Sequence, residues 1–212
     1  MEVFELAQMN IDCSDLLAKV SHLATSMNKL NTVYDRTLKD MVSRAPGKVA
    51  SAVTKNYGIK KKEIKFKKNF TKGKSVGHIS AHGAKLSTLE LYYAGRLLTP
   101  LHFGMTPKAR PAGKKKYKVK AKIKKQLKAL PSKPPKSADG GMFLAPASKG
   151  SATVIPWFRY SKDPYDIKPV KTISLPQMVD NKDVRKEIRR GIDDLYHTRF
   201  DNHLKQFIKG NL

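Results

Sequence analysis

The chain has 212 residues, with 43 Lys and Arg against 17 Asp and Glu, a net charge of +26 and a hydrophobic fraction of 40%. That length holds one sizeable domain or two small ones, and apolar residues spread along the chain argue against disorder throughout. The lone Cys13 excludes an intramolecular disulfide and a cysteine-based metal cluster, while the charge imbalance calls for an anionic partner.

From the N-terminus, Glu2 to Met9 suits a short strand, and its two glutamates stand where a secretory signal would be basic. No apolar run reaches membrane-spanning length, so a soluble protein made in a reducing compartment is expected. Leu16, Val20, Leu23, Met27, Leu30, Tyr34, Leu38 and Met41 recur at spacings of three and four, which marks one helical face with Asp12 as N-cap. "SRAPG" at Ser43 to Gly47 is expected to stop or kink that helix. A second short helix fits Pro46 to Tyr57, with Val49, Val53 and Tyr57 on one face and Gly58 past its end. The first basic run, "KKKEIKFKKNFTKGK" from Lys60 to Lys74, is punctuated by Ile64, Phe66 and Phe70, which should pin it to a core. "SVGHISAHG" and "LSTLELYYA" read as strands, the second with Leu89, Leu91 and Tyr93 on one face.

The second basic run is "GKKKYKVKAKIKKQLK", Gly113 to Lys128. Tyr117, Val119, Ala121 and Ile123 fall on one side of an extended chain, and Lys116, Lys118, Lys120, Lys122 and Lys124 on the other. A disordered polycationic tail has no reason for period-two spacing, so the run predicts a strand with one core face and one cationic face. Its flanks, "TPKARPAGKK" and "LPSKPPKSADGG", are rich in Pro and Gly and predict long mobile connections. The run thus reads as a projecting β-arm, within a basic arm or loop over about residues 104–141.

Two apolar runs follow, "GMFLAP" and "SATVIPWFRYS", then the extended "YDIKPVKTISLPQM" with Pro169 and Pro176. The last element is a helix capped by Asp180, with Asp183 in its first turn and a stripe of Val184, Ile188, Ile192, Leu195, Leu204, Phe207 and Ile208. Together these predict a single α+β domain over residues 1–212: N-terminal helices, a central antiparallel sheet with a long basic β-arm, and a C-terminal amphipathic helix.

The charge is concentrated in the middle of the chain. Met1 to Ser43 is net −2 and Ala138 to Leu212 net +4, whereas Arg44 to Ser137 holds 26 basic residues against Glu63 and Glu90 alone. Lys supplies 34 of the 43 cations, which favours backbone or bulk electrostatic contact over the bidentate base reading that Arg performs. The residues expected to meet nucleic acid or an acidic partner are Lys60, Lys61, Lys62, Lys65, Lys67, Lys68, Lys114, Lys115, Lys116, Lys118, Lys120, Lys122, Lys124 and Lys125.

Catalytic constellations are not legible. The basic middle lacks the carboxylates a two-metal nuclease needs, and there is no GxxxxGK phosphate loop. His78 and His82 lie four apart in "HISAH", but no third ligand is suggested, and packing is the default for His197 and His203. Ser and Cys have no recognisable base around them. Trp157, Phe158 and Tyr160 could stack on bases, but beside Val154 and Ile155 they read first as a buried strand. The expectation is a protein that is not an enzyme, with no catalytic residue, metal or cofactor.

The C-terminal third carries a resemblance. "WFR" at Trp157 to Arg159, "KPV" at Lys168 to Val170, "SLPQM" at Ser174 to Met178 and the long helix from Asn181 resemble the end of the tailed-phage minor tail protein Z, or tail completion, family. The helical, basic-ended Met27 to Lys62 and the strand pair in "SAHGAKLSTLEL" are compatible with it, and "KDPYDIKPV" departs from the family's usual arginine-proline segment. The resemblance implies a structural virion protein at the head-proximal end of a bacteriophage tail, made in the host cytoplasm. It implies a ring of six copies, contacts with tail tube, tail terminator or neck proteins and with the DNA end, and no membrane. A non-specific nucleic-acid-binding structural protein, ribosomal or chromatin-like, also fits the size and charge. A DNA-processing enzyme fits less well, for want of carboxylates.

Overall fold

The computed structural model describes residues 7–10, 27–65, 77–113, 116–134 and 141–209. The chain is α+β and divides into two compact units that interleave in sequence. The first comprises Met1–Ala52, Ile64–Arg96 and Leu175–Leu212, and the second Val53–Glu63 and Leu97–Ser174. The residues expected to form a projecting arm belong to the second unit.

In the first unit, strand β1 (Ala7–Asn10) is followed by helix α1 (Met27–Asn56), whose last turn belongs to the second unit. Of the helix expected from Asp12 through Met41, the part before Met27 lies outside the described residues. Instead of stopping at "SRAPG", α1 continues through Pro46. Proline removes one backbone hydrogen bond there, but Ala45, Pro46 and Val49 are all buried, and that packing outweighs a single missing bond. The buried face of α1 in this unit runs through Leu30, Val33, Thr37, Met41, Ala45 and Val49, with the Thr37 hydroxyl donating to the Val33 carbonyl at 2.7 Å.

The strands β2 (Ile64–Lys65), β3 (Gly77–His82) and β4 (Glu90–Gly95) join β1 in the order β1-β4-β3-β2. β1–β4 and β3–β4 pair antiparallel, as expected, and the two-residue β2 adds a parallel pairing with β3 at the edge. Ile79 and Ala81 face the core opposite Tyr93 and Leu91, and Leu89 joins them. Helix α2 (Leu175–Val179) lies on the same side, for a Cβ on Gly77 would come within 2.6 Å of Leu175 Cδ2.

Helix α3 (Lys182–Ile208) is capped by Asn181, whose side chain accepts from the Asp183 amide at 3.0 Å, and not by Asp180. Asp180 pairs instead with Arg185 at 3.4 Å in an exposed position. The cap moves by one residue because the helix begins at Lys182, which leaves Asn181 as the flanking residue with extended backbone. The stripe Val184, Ile188, Ile192, Leu195 is buried and continues through Tyr196 and Phe200. Leu204 and Phe207 are half-buried and Ile208 is 73% exposed, so the expected stripe ends a turn early. α3 packs against α1, where Tyr34 meets Phe200 at 5.6 Å between ring centroids and the Asp40 carboxylate pairs with His203 Nε2 at 3.3 Å and Arg199 Nε at 3.7 Å.

In the second unit, β7 (Gly141–Pro146), β8 (Val154–Arg159) and β9 (Ile167–Pro169) form an antiparallel sheet, and β5 (Lys120–Ala121) pairs with β6 (Lys128–Ala129). Met105, Val119 and Leu144 form a core with Tyr117, Leu130, Met142 and Val154 packed against it. Of the long β-arm expected over Gly113 to Lys128, the regular strand among the described residues is the two-residue pairing of β5 with β6. The chain turns back over Ile123 to Gln126, and the hairpin is tied down by paired Thr106–Lys120 backbone bonds of 2.9 and 2.8 Å. Among the described residues, no helix is long and apolar enough to cross a membrane.

Candidate polyanion-binding surface

The alternation read in the second basic run survives its shortening. Val119 and Ala121 are buried, Tyr117 and Ile123 half-buried, and Lys116, Lys118, Lys120, Lys122 and Lys124 are all exposed. An extended segment held at its apolar positions has only one other side on which to place its lysines. Lys125 is exposed at the turn with φ 52°, the left-handed region that costs a side-chain-bearing residue about 1–2 kcal/mol. A strained lysine beside Lys122 and Lys124 keeps the hairpin tip cationic where glycine would relieve the backbone.

The first basic run is divided. Lys60, Lys61 and Lys62 are exposed on the second unit, while Ile64 is buried in the first and Lys65 ends β2 there. Phe66, Lys67, Lys68 and Phe70, like Lys114 and Lys115, lie outside the described residues. What brings the two runs together is backbone contact: the Gly58 amide donates to the Ile123 carbonyl at 3.2 Å. Lys60–Lys62 therefore start two residues after a backbone bond to the hairpin segment that carries Lys120, Lys122 and Lys124.

The second unit holds 22 Lys and Arg against Glu63, Asp139, Asp163 and Asp166, a net +18 of the chain's +26. Glu63 is engaged by His102, Nδ1 to Oε2 at 2.6 Å. Lys108, Arg110 and Lys128 are exposed on the same unit and were not singled out from the sequence. Lys128 could have been, because a hairpin returns the far end of a lysine run beside its start. Here Lys128 pairs with Ala121.

The other candidates resolve into packing. On the first unit's sheet His78 is buried, and burial followed by the charge of His82 pushes its pKa below the ordinary imidazole value. His82 Nε2 lies 3.0 Å from the Ser80 hydroxyl, a contact not foreseen, but Ser80 is only 8% exposed and so is not open to a substrate. Across β4, the Tyr92 hydroxyl donates to Glu90, and that bond raises the phenol pKa. Among the described residues no three His, Cys, Asp or Glu side chains gather as a metal site. His203 is held by Asp40, and His197 is exposed. Phe158 is buried in β8 with Trp157 half-buried, Arg159 lies 5.5 Å over the Phe143 ring, and Lys168 lies 4.9 Å over Tyr160. These aromatics serve the sheet rather than an open stacking platform.

Comparison with protein-family models, with curated proteins and with solved structures finds no match to this chain.

Proposed function

We propose that the chain is a structural virion component of a tailed bacteriophage, a tail completion protein at the head-proximal end of the tail. In this reading it is not an enzyme, and its second unit contacts the DNA backbone without reading sequence. The observation that supports the contact is the junction of Gly58 with Ile123, which places Lys60–Lys62 beside the exposed lysines of the hairpin. Lysines on an ordered scaffold neutralise phosphates and release counterions, and they do so for any base sequence. The virion assignment is supported by the C-terminal pattern of Trp157–Arg159, Ser174–Met178 and the helix from Lys182. Copies repeated around a tail axis would each present the same lysine surface to a central DNA path.

The test measures binding of nuclease-treated protein to mixed-sequence duplexes across a salt series, with light scattering to read its assembly state. The variant carries Lys118→Gln, Lys120→Gln, Lys122→Gln and Lys124→Gln together. The expected result is affinity independent of sequence, with the slope of log K against log salt reduced by about 3.6 in the variant. Absence of duplex binding at low salt, or an unchanged slope, would overturn the DNA contact. The same lysine surface would serve a ribosomal or chromatin-like protein. Co-purification with ribosomes, in place of incorporation into tails, would favour that second reading.

A further inference from the structure

The second unit has a cleft of about 320 Å³ lined by Tyr117, Lys118, Val119, Ala129, Leu130, Pro131, Ser132 and Met142. We infer that this cleft takes one unpaired nucleobase of a single-stranded nucleic acid, stacked on Tyr117, while the bordering lysines hold the adjoining phosphates. The inference rests on the polyanion contact proposed above and adds a preference within it.

Four observations carry it. The volume falls in the range of small-ligand pockets, large enough for a base and far too small for a duplex. The walls are apolar at Val119, Leu130, Pro131 and Met142, as the flat face of a base requires. Tyr117 is fixed before any ligand arrives, since its hydroxyl oxygen accepts the Leu144 amide at 3.0 Å. A preset aromatic ring loses little freedom on stacking, which keeps the cost of binding low. Finally, lysines border the cleft: Lys118 lines it, Lys128 precedes Ala129, and Lys133 follows Ser132, all three exposed. The sequence has no Asp or Glu between Glu90 and Asp139, so the cleft's own segments offer nothing to a cation and favour an anion. Phosphates on both sides of an apolar ring are the chemistry of a nucleotide within a strand.

The full chain is titrated by fluorescence anisotropy against three labelled probes: a short single strand, an abasic strand of equal length and charge, and a duplex. Ala129 is exposed, so Ala129→Leu fills the cleft without entering the core or adding a stacking ring, and circular dichroism checks its fold. The wild type is expected to bind the intact single strand about tenfold more tightly than the abasic one. Ala129→Leu should abolish that difference while leaving abasic and duplex affinities and their salt slopes unchanged, and Tyr117→Leu should abolish it too. Equal binding of intact and abasic strands by the wild type, or a difference that survives Ala129→Leu, would overturn the cleft assignment alone. Failure to bind any of the three probes would overturn the DNA contact itself. A poly-glutamate peptide that binds more tightly than every oligonucleotide would reassign the lysines to an acidic protein and sink both.

Discussion

A Cβ placed on Gly58 would lie 2.0 Å from the Lys122 carbonyl oxygen, and 3.0 Å from both Lys122 C and Lys122 Cβ. Only a residue without a side chain lets the two basic segments approach this closely, and the obstacle is backbone, which cannot swing aside as a side-chain end can. Gly58→Ala is therefore expected to force the hairpin away from the Lys60–Lys62 segment and to cost about 1–3 kcal/mol. Denaturant unfolding gives the cost. A Gly58→Ala protein with wild-type stability and an unchanged salt slope for DNA would mean that this contact does not organise the surface.

Lys125 tests whether strain at the hairpin tip serves stability or charge. Its φ of 52° suits glycine, so Lys125→Gly should stabilise the protein by about 1 kcal/mol. The same change removes one exposed cation, and the salt slope for duplex binding should fall by about 1. Higher stability with weaker polyanion binding is the pattern expected of a residue kept for its charge. Loss of stability would show that the lysine stem makes contacts that offset its backbone strain.

How far the sequence could be read depends on the range of the interactions involved. The alternation of Tyr117, Val119 and Ala121 with lysines, and the stripe Val184, Ile188, Ile192 and Leu195, were legible because burial repeats with the period of the local backbone. The continuation of α1 through Pro46 was not, because proline's cost is local while the burial of Ala45 and Val49 is supplied by residues distant in sequence. The turn at Lys125 carries no Gly or Asn to announce it, so the run looked like one long strand. The contact between Gly58 and Lys122 joins segments far apart in the chain, and Gly58 read alone was only a helix stop. The parallel pairing of β2 with β3 likewise left no local mark. The cationic surface was legible residue by residue, but its assembly from two runs was not.

Asn181 and Asp180 separate a capping side chain from a merely adjacent acid. Asn181 accepts from the Asp183 amide, whereas Asp180 makes an exposed pair with Arg185. Asn181→Ala should lower stability by about 1 kcal/mol, and Asp180→Ala by only a few tenths. Thermal or denaturant unfolding of the two variants compares them directly. Equal losses would mean that the acid, through the helix dipole, does as much as the cap.

His78 makes the first unit sensitive to acid. Burial and the nearby His82 hold its pKa below the ordinary value of 6.5, so the folded protein keeps it neutral while the unfolded chain protonates near 6.5. The sign follows from proton binding. Above the unfolded pKa neither state carries the proton, and the stability contribution is fully present. As pH falls from 6.5 towards the lower folded pKa, the unfolded chain takes up the proton first, and stability falls. Below the folded pKa both states are protonated and the loss is complete. Unfolding midpoints should therefore decline as the pH falls through about 6.5 towards the lowered folded pKa. His78→Gln, which cannot protonate, should flatten that part of the profile even if it lowers stability throughout, because the readout is the slope and not the level. A variant that kept the full wild-type slope would place the acid sensitivity elsewhere in the fold.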